Sequence, residues 1–221
     1  MRCQWRAFIN LVPPRLRDTV DRAGKEQLQE LRLRIGQSPE LVLLSESIWL
    51  KEITCREDIL FCINAASQYS PWAAASVGQG YISAQGGHRV GVCGSVVISN
   101  NRCTGMDAVT SVCIRVARDI PGISAGLSCL SGSILLIGPP GSGKTTLLRD
   151  LIRCCSDAEN GGIAVVDERG ELFPFFQSEP CFPAGKRTDV LSGCSKKVGI
   201  PPIPVPTHTP QRVASIFSKS S

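Results

Sequence analysis

One stretch restricts the fold of this chain more than any other: Gly138-Pro139-Pro140-Gly141-Ser142-Gly143-Lys144-Thr145, set between the apolar run Ser133-Ile-Leu-Leu-Ile137 and a helical pattern over Thr145–Cys155. The spacing is G-x-x-x-x-G-K-[ST], and an apolar strand before with a helix after is the context such a loop needs. Glycines let the backbone wrap closely, so that N–H groups can surround phosphate oxygens, and the start of the helix adds partial positive charge. Lys144 then offers a point charge to β- and γ-phosphates, and the Thr145 hydroxyl a ligand for Mg²⁺. Gly138 through Thr146 are the expected nucleotide-binding set. A chance glycine-rich turn is the plain alternative, and the flanking strand and helix argue against it.

A second apolar run, Ile163-Ala-Val-Val166, follows Gly161-Gly162 and ends in Asp167-Glu168-Arg169. Strand, loop, helix, strand predicts a βαβ unit with a parallel sheet and a right-handed crossover. Acids at the carboxyl end of such a strand border the crevice where ligands bind. Successive side chains point to opposite sides of a strand, so one of the two faces the phosphates. Glu168 is the candidate for orienting an attacking water, and Asp167 for holding Mg²⁺ through a water. The competing reading has Asp167 capping the turn that follows and Glu168 pairing with Arg169; both stay open at this point.

The residues before this unit read as a small α+β domain. Apolar positions Leu16, Val20, Leu28 and Leu31 fall at helical spacing, with Gly24 a weak point. Leu31–Ile35 alternates as a strand, Leu41–Leu44 is a second strand, and Thr54 with Glu57 three residues on predicts a capped helix running to about Ser67. Two β-rich runs on either side of Gly86-Gly87 predict a hairpin. Ser111–Arg118 is a further strand closed by Pro121-Gly122. His88 beside that turn is a weak candidate ligand, having no acid near it in sequence. Arg115 and Arg118 are either solvent-facing strand arginines or a charge clamp on nucleotide phosphates. Lys186-Arg187-Thr188-Asp189 reads as a polar loop.

The expected domains are 1–121 (α+β), 122–132 (linker), 133–199 (a partial nucleotide-binding α/β domain) and 200–221. The last contains five prolines between Ile200 and Pro210, which predicts an extended polyproline tail, with Gln211–Ser221 a short helix or frayed.

Composition narrows the class. Hydrophobic residues are 43% and charged residues 19%, a globular balance that excludes a disordered polyelectrolyte. Lys plus Arg number 24 against 19 acids, net +5, too mild an excess to point to nucleic acid. No apolar run nears the ~20 residues of a membrane helix, and Met-Arg-Cys-Gln-Trp-Arg lacks a signal-peptide core. A soluble protein of the cytoplasm is the expectation. The eleven cysteines have no C-x-x-C pair and an odd count, so neither zinc nor a disulfide framework is expected. Most lie in apolar strings, as small hydrophobes in a reducing compartment.

Taken in order, Gly80-Tyr-Ile, Gly86-Gly-His-Arg-Val-Gly91, Ile114-Arg-Val-Ala-Arg118, Gly138–Ile152, Val165-Val-Asp-Glu-Arg169 and Arg187-Thr-Asp-Val-Leu191 with Gly193-Cys194 resemble the stage III sporulation protein AA family. That family is similar to the motor ATPases of type II and type IV secretion and pilus systems. The resemblance implies an incomplete RecA-like domain behind the α+β domain, binding ATP with Mg²⁺ and hydrolysing it to ADP and phosphate. It implies Glu168 as the catalytic glutamate that positions water, beside Lys144, and Arg115 and Arg118 reaching the nucleotide. It further implies a homo-oligomer, a hexameric ring, at the cytoplasmic face of a membrane-embedded sporulation complex on the mother-cell side. After Lys196 the pattern departs: no apolar strand ending in an acid follows Asp189. The expectation is a chain truncated or frame-shifted from about Val198. The alternative function is a nucleotide-binding but catalytically silent assembly module. A small-molecule kinase would need a lid of arginines, for which only Lys186-Arg187 is present.

Overall fold

The structure is a computed structural model describing residues 1–68, 80–99, 102–127, 133–139, 141–158, 162–194, 197 and 212–215, the backbone alone at 99, 102–104 and 212–215. The chain divides into two compact units, Cys3–Ala117 and Met1–Arg2 with Arg118–Ser221. Both combine helices and strands, so the fold is mixed α/β.

In the first unit the helices α1 (Trp5–Leu11), α2 (Arg17–Ala23) and α3 (Arg56–Ser67) accompany six strands, β1 (Leu28–Arg34), β2 (Glu40–Leu43), β3 (Ser47–Trp49), β4 (Tyr81–Ser83), β5 (Arg89–Ser99) and β6 (Arg102–Arg115). The strands form one sheet in the order β3-β2-β1-β6-β5-β4, every pairing antiparallel. Phe8, Val12, Leu16, Val20, Ile59 and Cys62 from the helical segments share one apolar core with Leu31, Leu33, Val90, Val92, Val112 and Ile114 from the sheet. Alternation along β1, β5 and β6 supplies one apolar side chain in two to that core, which is why these segments are strands.

The helix expected across Leu16–Leu31 stops early. Gly24 takes φ +79°, ending α2, and Leu28 already belongs to β1. The misleading cue is a bulge: β1 pairs Leu28 with Leu43 but Glu30 with Val42, so one extra residue puts Leu28 and Leu31 on the same face at helical spacing. The capping box of α3 is also one residue later than expected. Cys55 is the N-cap, and Asp58 accepts its amide at 2.9 Å, while the Thr54 hydroxyl is buried without a partner. The β4–β5 hairpin forms around Gly86-Gly87 as expected, with Tyr81 opposite Gly91. β6 is 14 residues against 11 in β5, the surplus being three bulges. Gly94 sits at one of them, where a Cβ would fall 1.8 Å from the Ala108 carbonyl oxygen.

The second unit holds α4 (Lys144–Asp157), the strands β7 (Ile163–Asp167), β8 (Phe175–Phe176), β9 (Glu179–Pro180), β10 (Thr188–Ser192) and β11 (Arg212–Ser215). β10 and β11 flank β7, both parallel to it, and β8 pairs with β9. Leu151, Ile152, Ile163, Val165, Val166, Leu172, Phe173 and Phe182 are its buried apolar residues. The strand expected at Ser133–Ile137 is not paired, and Ile134, Leu135 and Ile137 are 46%, 70% and 85% exposed. In the order β10-β7-β11 both edges of β7 are taken, and among the described residues the run pairs with neither outer strand. Arg212–Ser215, expected as helix or frayed tail, occupies one of those edges. The proline run at 200–210 lies outside the described residues, as do 128–132 of the expected linker.

The side chains of nine cysteines are described. Their burial departs from the expectation: Cys62 is buried, but Cys93 and Cys55 are exposed. Cys93 follows the buried Val92 in β5 and so points to the other side of the sheet.

Candidate functional site

The glycine loop leads into the 14-residue α4. Gly141 and Gly143 have φ +75° and +84°, the left-handed region that glycine enters without penalty. Gly138 is tightly placed: a Cβ there would lie 2.8 Å from Ser142 Oγ. The Ser142 amide donates to the Pro139 carbonyl at 3.3 Å and the Leu147 amide to Gly143 at 2.9 Å, the latter closing the first helical turn. Gly143 is the N-cap, and no side chain caps the helix. Lys144 folds back over the loop, its Nζ donating to the carbonyls of Gly138 and Pro139 at 2.8 and 2.6 Å. Ser142 Oγ is 3.5 Å from the same Nζ. The loop is exposed, and Lys144, Thr145 and Thr146 are half-buried. Pro140 lies outside the described residues.

An ammonium resting on carbonyls inside a glycine loop, at the uncapped start of a long helix, suits a phosphate chain. Such a ligand would meet helix amides and a mobile cation that can turn from weak acceptors to charged ones. The site therefore fits a nucleoside polyphosphate by the chemistry of its donor set.

β7 places Asp167 and Glu168 at its carboxyl end, as its apolar sequence predicts. The two acids take different roles. Asp167 is 1% exposed; its Oδ1 accepts from the Glu171 amide at 2.9 Å, and its Oδ2 from those of Leu172 and Phe173 at 2.9 and 3.0 Å. A carboxylate carrying three amide donors holds the turn after the strand, the second of the two sequence readings. Oδ2 carries two of these bonds and Oδ1 one, so the turn takes most of the acceptor capacity of a group that the sequence also offered to Mg²⁺. Glu168 is exposed. Among the described residues no group of three or more His, Cys, Asp or Glu is arranged to hold a metal ion, which leaves Thr145 as the ligand candidate on this face.

What the sequence reading did not single out is the buried side of α4. Arg149, Asp150 and Arg153 are 5%, 1% and 9% exposed, and Asp119 is fully buried. Arg153 donates to Asp119 at 2.7 Å and to Asp150 at 2.5 Å. Asp150 accepts from the amides of Gly122 and Ser124 at 3.0 and 2.8 Å and from the Ser124 hydroxyl at 2.7 Å. Burial alone would raise the Asp150 pKa, but Arg153 and Ser124 outweigh it and hold the carboxyl well below the usual range. Arg149 donates to the carbonyls of Leu172, Glu171 and Arg118 at 2.5, 2.9 and 3.0 Å. Its guanidinium lies 4.3 Å from the centre of the Phe182 ring. Burial pushes its pKa down from the ordinary arginine value. Charged residues at 149, 150 and 153, interleaved with the apolar Leu147, Leu148, Leu151 and Ile152, were the available signal: three charges on the face that also carries Ile152 toward the core.

Arg115 pairs with Glu30 at 2.8 Å on the sheet of the first unit, the ordinary fate of a strand arginine. Arg118 contributes its carbonyl to Arg149. His88 is fully buried and structural: its Nδ1 accepts from the Ala117 amide at 3.0 Å, so Nε2 carries the proton it shares with the Gln4 carbonyl, also at 3.0 Å. Lys186 and Arg187 hold α4 by their backbone, donating to Asp157 and to Ser156 Oγ at 2.9 and 2.8 Å. No described helix is long and apolar enough to cross a membrane.

Three comparisons bear on the family. The chain is 33% identical over 208 residues to stage III sporulation protein AA of Bacillus subtilis (strain 168), covering 87% of this chain and 67% of that protein. It is 26% identical over 172 residues to protein SEEDLING PLASTID DEVELOPMENT 1 of Arabidopsis thaliana, covering 75% of this chain and 23% of the plant protein. Among solved structures, the pilus retraction motor PilT with bound ADP aligns with a TM-score of 0.48 at 16% identity over 79% of this chain and 50% of its own. The Legionella pneumophila ATPase DotB aligns at 0.46 and 15% over 82% and 51%. The chain therefore spans about half the length of either ATPase. A family-wide match over residues 6–214 is to sporulation stage III, protein AA, and the chain belongs to that family.

Proposed function

We propose that the chain binds ATP at the 138–146 loop and that, in the intact protein, this site hydrolyses it to ADP and phosphate. The observation that carries the reading is the loop itself: two left-handed glycines leading into an uncapped 14-residue helix, with the Lys144 ammonium folded among the loop carbonyls. Lys144 exchanges those carbonyls for phosphate oxygens, and the first amides of α4 point at the same charge. Thr145 offers its hydroxyl to Mg²⁺, which when bound neutralises charge on the β- and γ-phosphates. Asp167 holds the turn by its three amides, and Glu168, next along, orients water toward the γ-phosphate. Catalysis of this kind is positioning plus charge stabilisation, with no covalent intermediate. Arg115 and Arg118 remain proposed phosphate contacts on the family resemblance.

Family membership supports a place in a sporulation complex at the cytoplasmic face of a membrane, worked by a homo-oligomeric ring. A silent assembly module is the second reading, and one observation favours it: Asp167, next to Glu168 in sequence, accepts three backbone amides of the turn. A turnover assay with ATP and Mg²⁺ on wild type and Glu168→Gln separates the two. Hydrolysis abolished with binding retained in the variant supports the enzyme. Wild-type protein that binds ATP without turnover supports the module.

A further inference from the structure

We propose that Arg149 is a positioning residue that fixes the Glu168 turn to the phosphate-binding helix. This rests on the reading of Lys144, Thr145 and Glu168 as one nucleotide site. The turn after β7 is gripped from both sides. On its amide side, Asp167 accepts from Glu171, Leu172 and Phe173. On its carbonyl side, Arg149 donates Nη2 to Glu171 at 2.9 Å and Nε to Leu172 at 2.5 Å. The peptide groups of Glu171 and Leu172 thus lie between a carboxylate and a guanidinium, with charge-assisted hydrogen bonds at both ends. Glu168 is the first residue of that turn, and Gly170, at φ +61°, closes it with its amide on the Asp167 carbonyl at 3.3 Å.

Arg149 stands four residues beyond Thr145, one turn along the same helix and on the same side. A single rigid element therefore carries the phosphate and Mg²⁺ groups at one end and the grip on the acid's turn a turn later. Any shift of α4 on taking up phosphate is transmitted to residues 168–172 through Arg149. A buried guanidinium is a costly way to fill space, since a methionine would do so without desolvating a charge. Here the nearest carboxylate of the charged cluster, that of Asp119, is 4.0 Å away. The three donors go to backbone carbonyls instead, a pattern that sets backbone position.

The test is amide hydrogen exchange on the full chain with and without ATP and Mg²⁺, beside nucleotide affinity, in wild type, Arg149→Lys, Arg149→Met and Phe182→Leu. The last removes the ring beside the guanidinium while leaving its hydrogen bonds, and controls for loss of stability alone. In wild type, nucleotide slows exchange over both 141–147 and 168–173. In both Arg149 variants the affinity stays within about threefold, exchange of the 168–173 amides rises about tenfold or more, and nucleotide no longer slows it. Phe182→Leu keeps the nucleotide response of the turn. Three results overturn the proposal alone: a turn that ignores nucleotide in the wild type, Arg149 variants that retain its response, or Phe182→Leu losing it as they do. Wild-type protein that binds no nucleotide removes the proposed site, and this inference with it.

Discussion

His88 sits out of water with both ring nitrogens spent on backbone, one on the Gln4 carbonyl and one on the Ala117 amide, and its ring edge-on to Phe8 at 5.3 Å. His88→Leu fills the volume but strands a buried donor and a buried acceptor, and should cost about 3 kcal/mol in denaturant unfolding. A change under about 0.5 kcal/mol, the level of a surface substitution, would contradict this account. Gly86 beside it has φ +78°, with a Cβ position 2.8 Å from Gln4 Cβ. Gly86→Ala should therefore destabilise by about 2 kcal/mol through strain and overlap together. The run Gly86-Gly-His-Arg that helps mark the family is thus fixed by packing. From sequence it could be read as a turn, but not as a buried pin, because the partners of His88 lie 84 and 29 residues away. The glycine loop was legible residue by residue because its chemistry is local: glycines for positive φ, a lysine and a threonine at the helix start. Arg149 was not, since its partners at Glu171 and Leu172 come together only in the fold.

At the scale of elements, α4 is held by charge as much as by apolar burial. Asp150, kept below its unfolded value by Arg153 and Ser124 despite burial, stabilises the fold at pH above about 4, where the unfolded chain is already ionised. That contribution is lost as pH falls from about 4 toward the depressed folded value, where the unfolded chain binds the proton first. The stability gap between wild type and Asp150→Asn should be widest near neutrality and narrow below about pH 4. A gap constant from pH 7 to 3 would contradict the pairing. The Ser133–Ile137 segment gives the sharpest contrast between sequence and structure. An apolar run before a glycine loop reads as a core strand, yet Leu135 is 70% exposed. Leu135→Ser should leave stability within about 0.5 kcal/mol. A loss of 2 kcal/mol or more would place it in the sheet after all, at about the cost of truncating a buried leucine. Period alone could not settle such elements. The bulge at Leu28–Glu30 imitates helical spacing, and the pairing of Arg212–Ser215 with β7 depends on which edge is free.

For the whole molecule, the two units hold separate apolar cores: the cluster running from Phe8 to Ile114 lies within Cys3–Ala117, and Leu151 to Phe182 lie within the other. Trp5 and Trp49, the tryptophans among the described residues, fall in the first unit, and the glycine loop in the second. Saturating ATP at 100 times its Kd should stabilise the second unit by about 2.7 kcal/mol. It should leave the tryptophan-monitored transition of the first in place; equal shifts in both would mean that they unfold as one. The measurement that tests the central claim most directly is an equilibrium titration of ATP with Mg²⁺ against the wild-type chain and Lys144→Ala. Saturable one-to-one binding by wild type, weakened by about 100-fold or more in the variant as a charge-assisted phosphate contact is removed, is the predicted result. Equal affinity in the two proteins, or no binding to either, would contradict it.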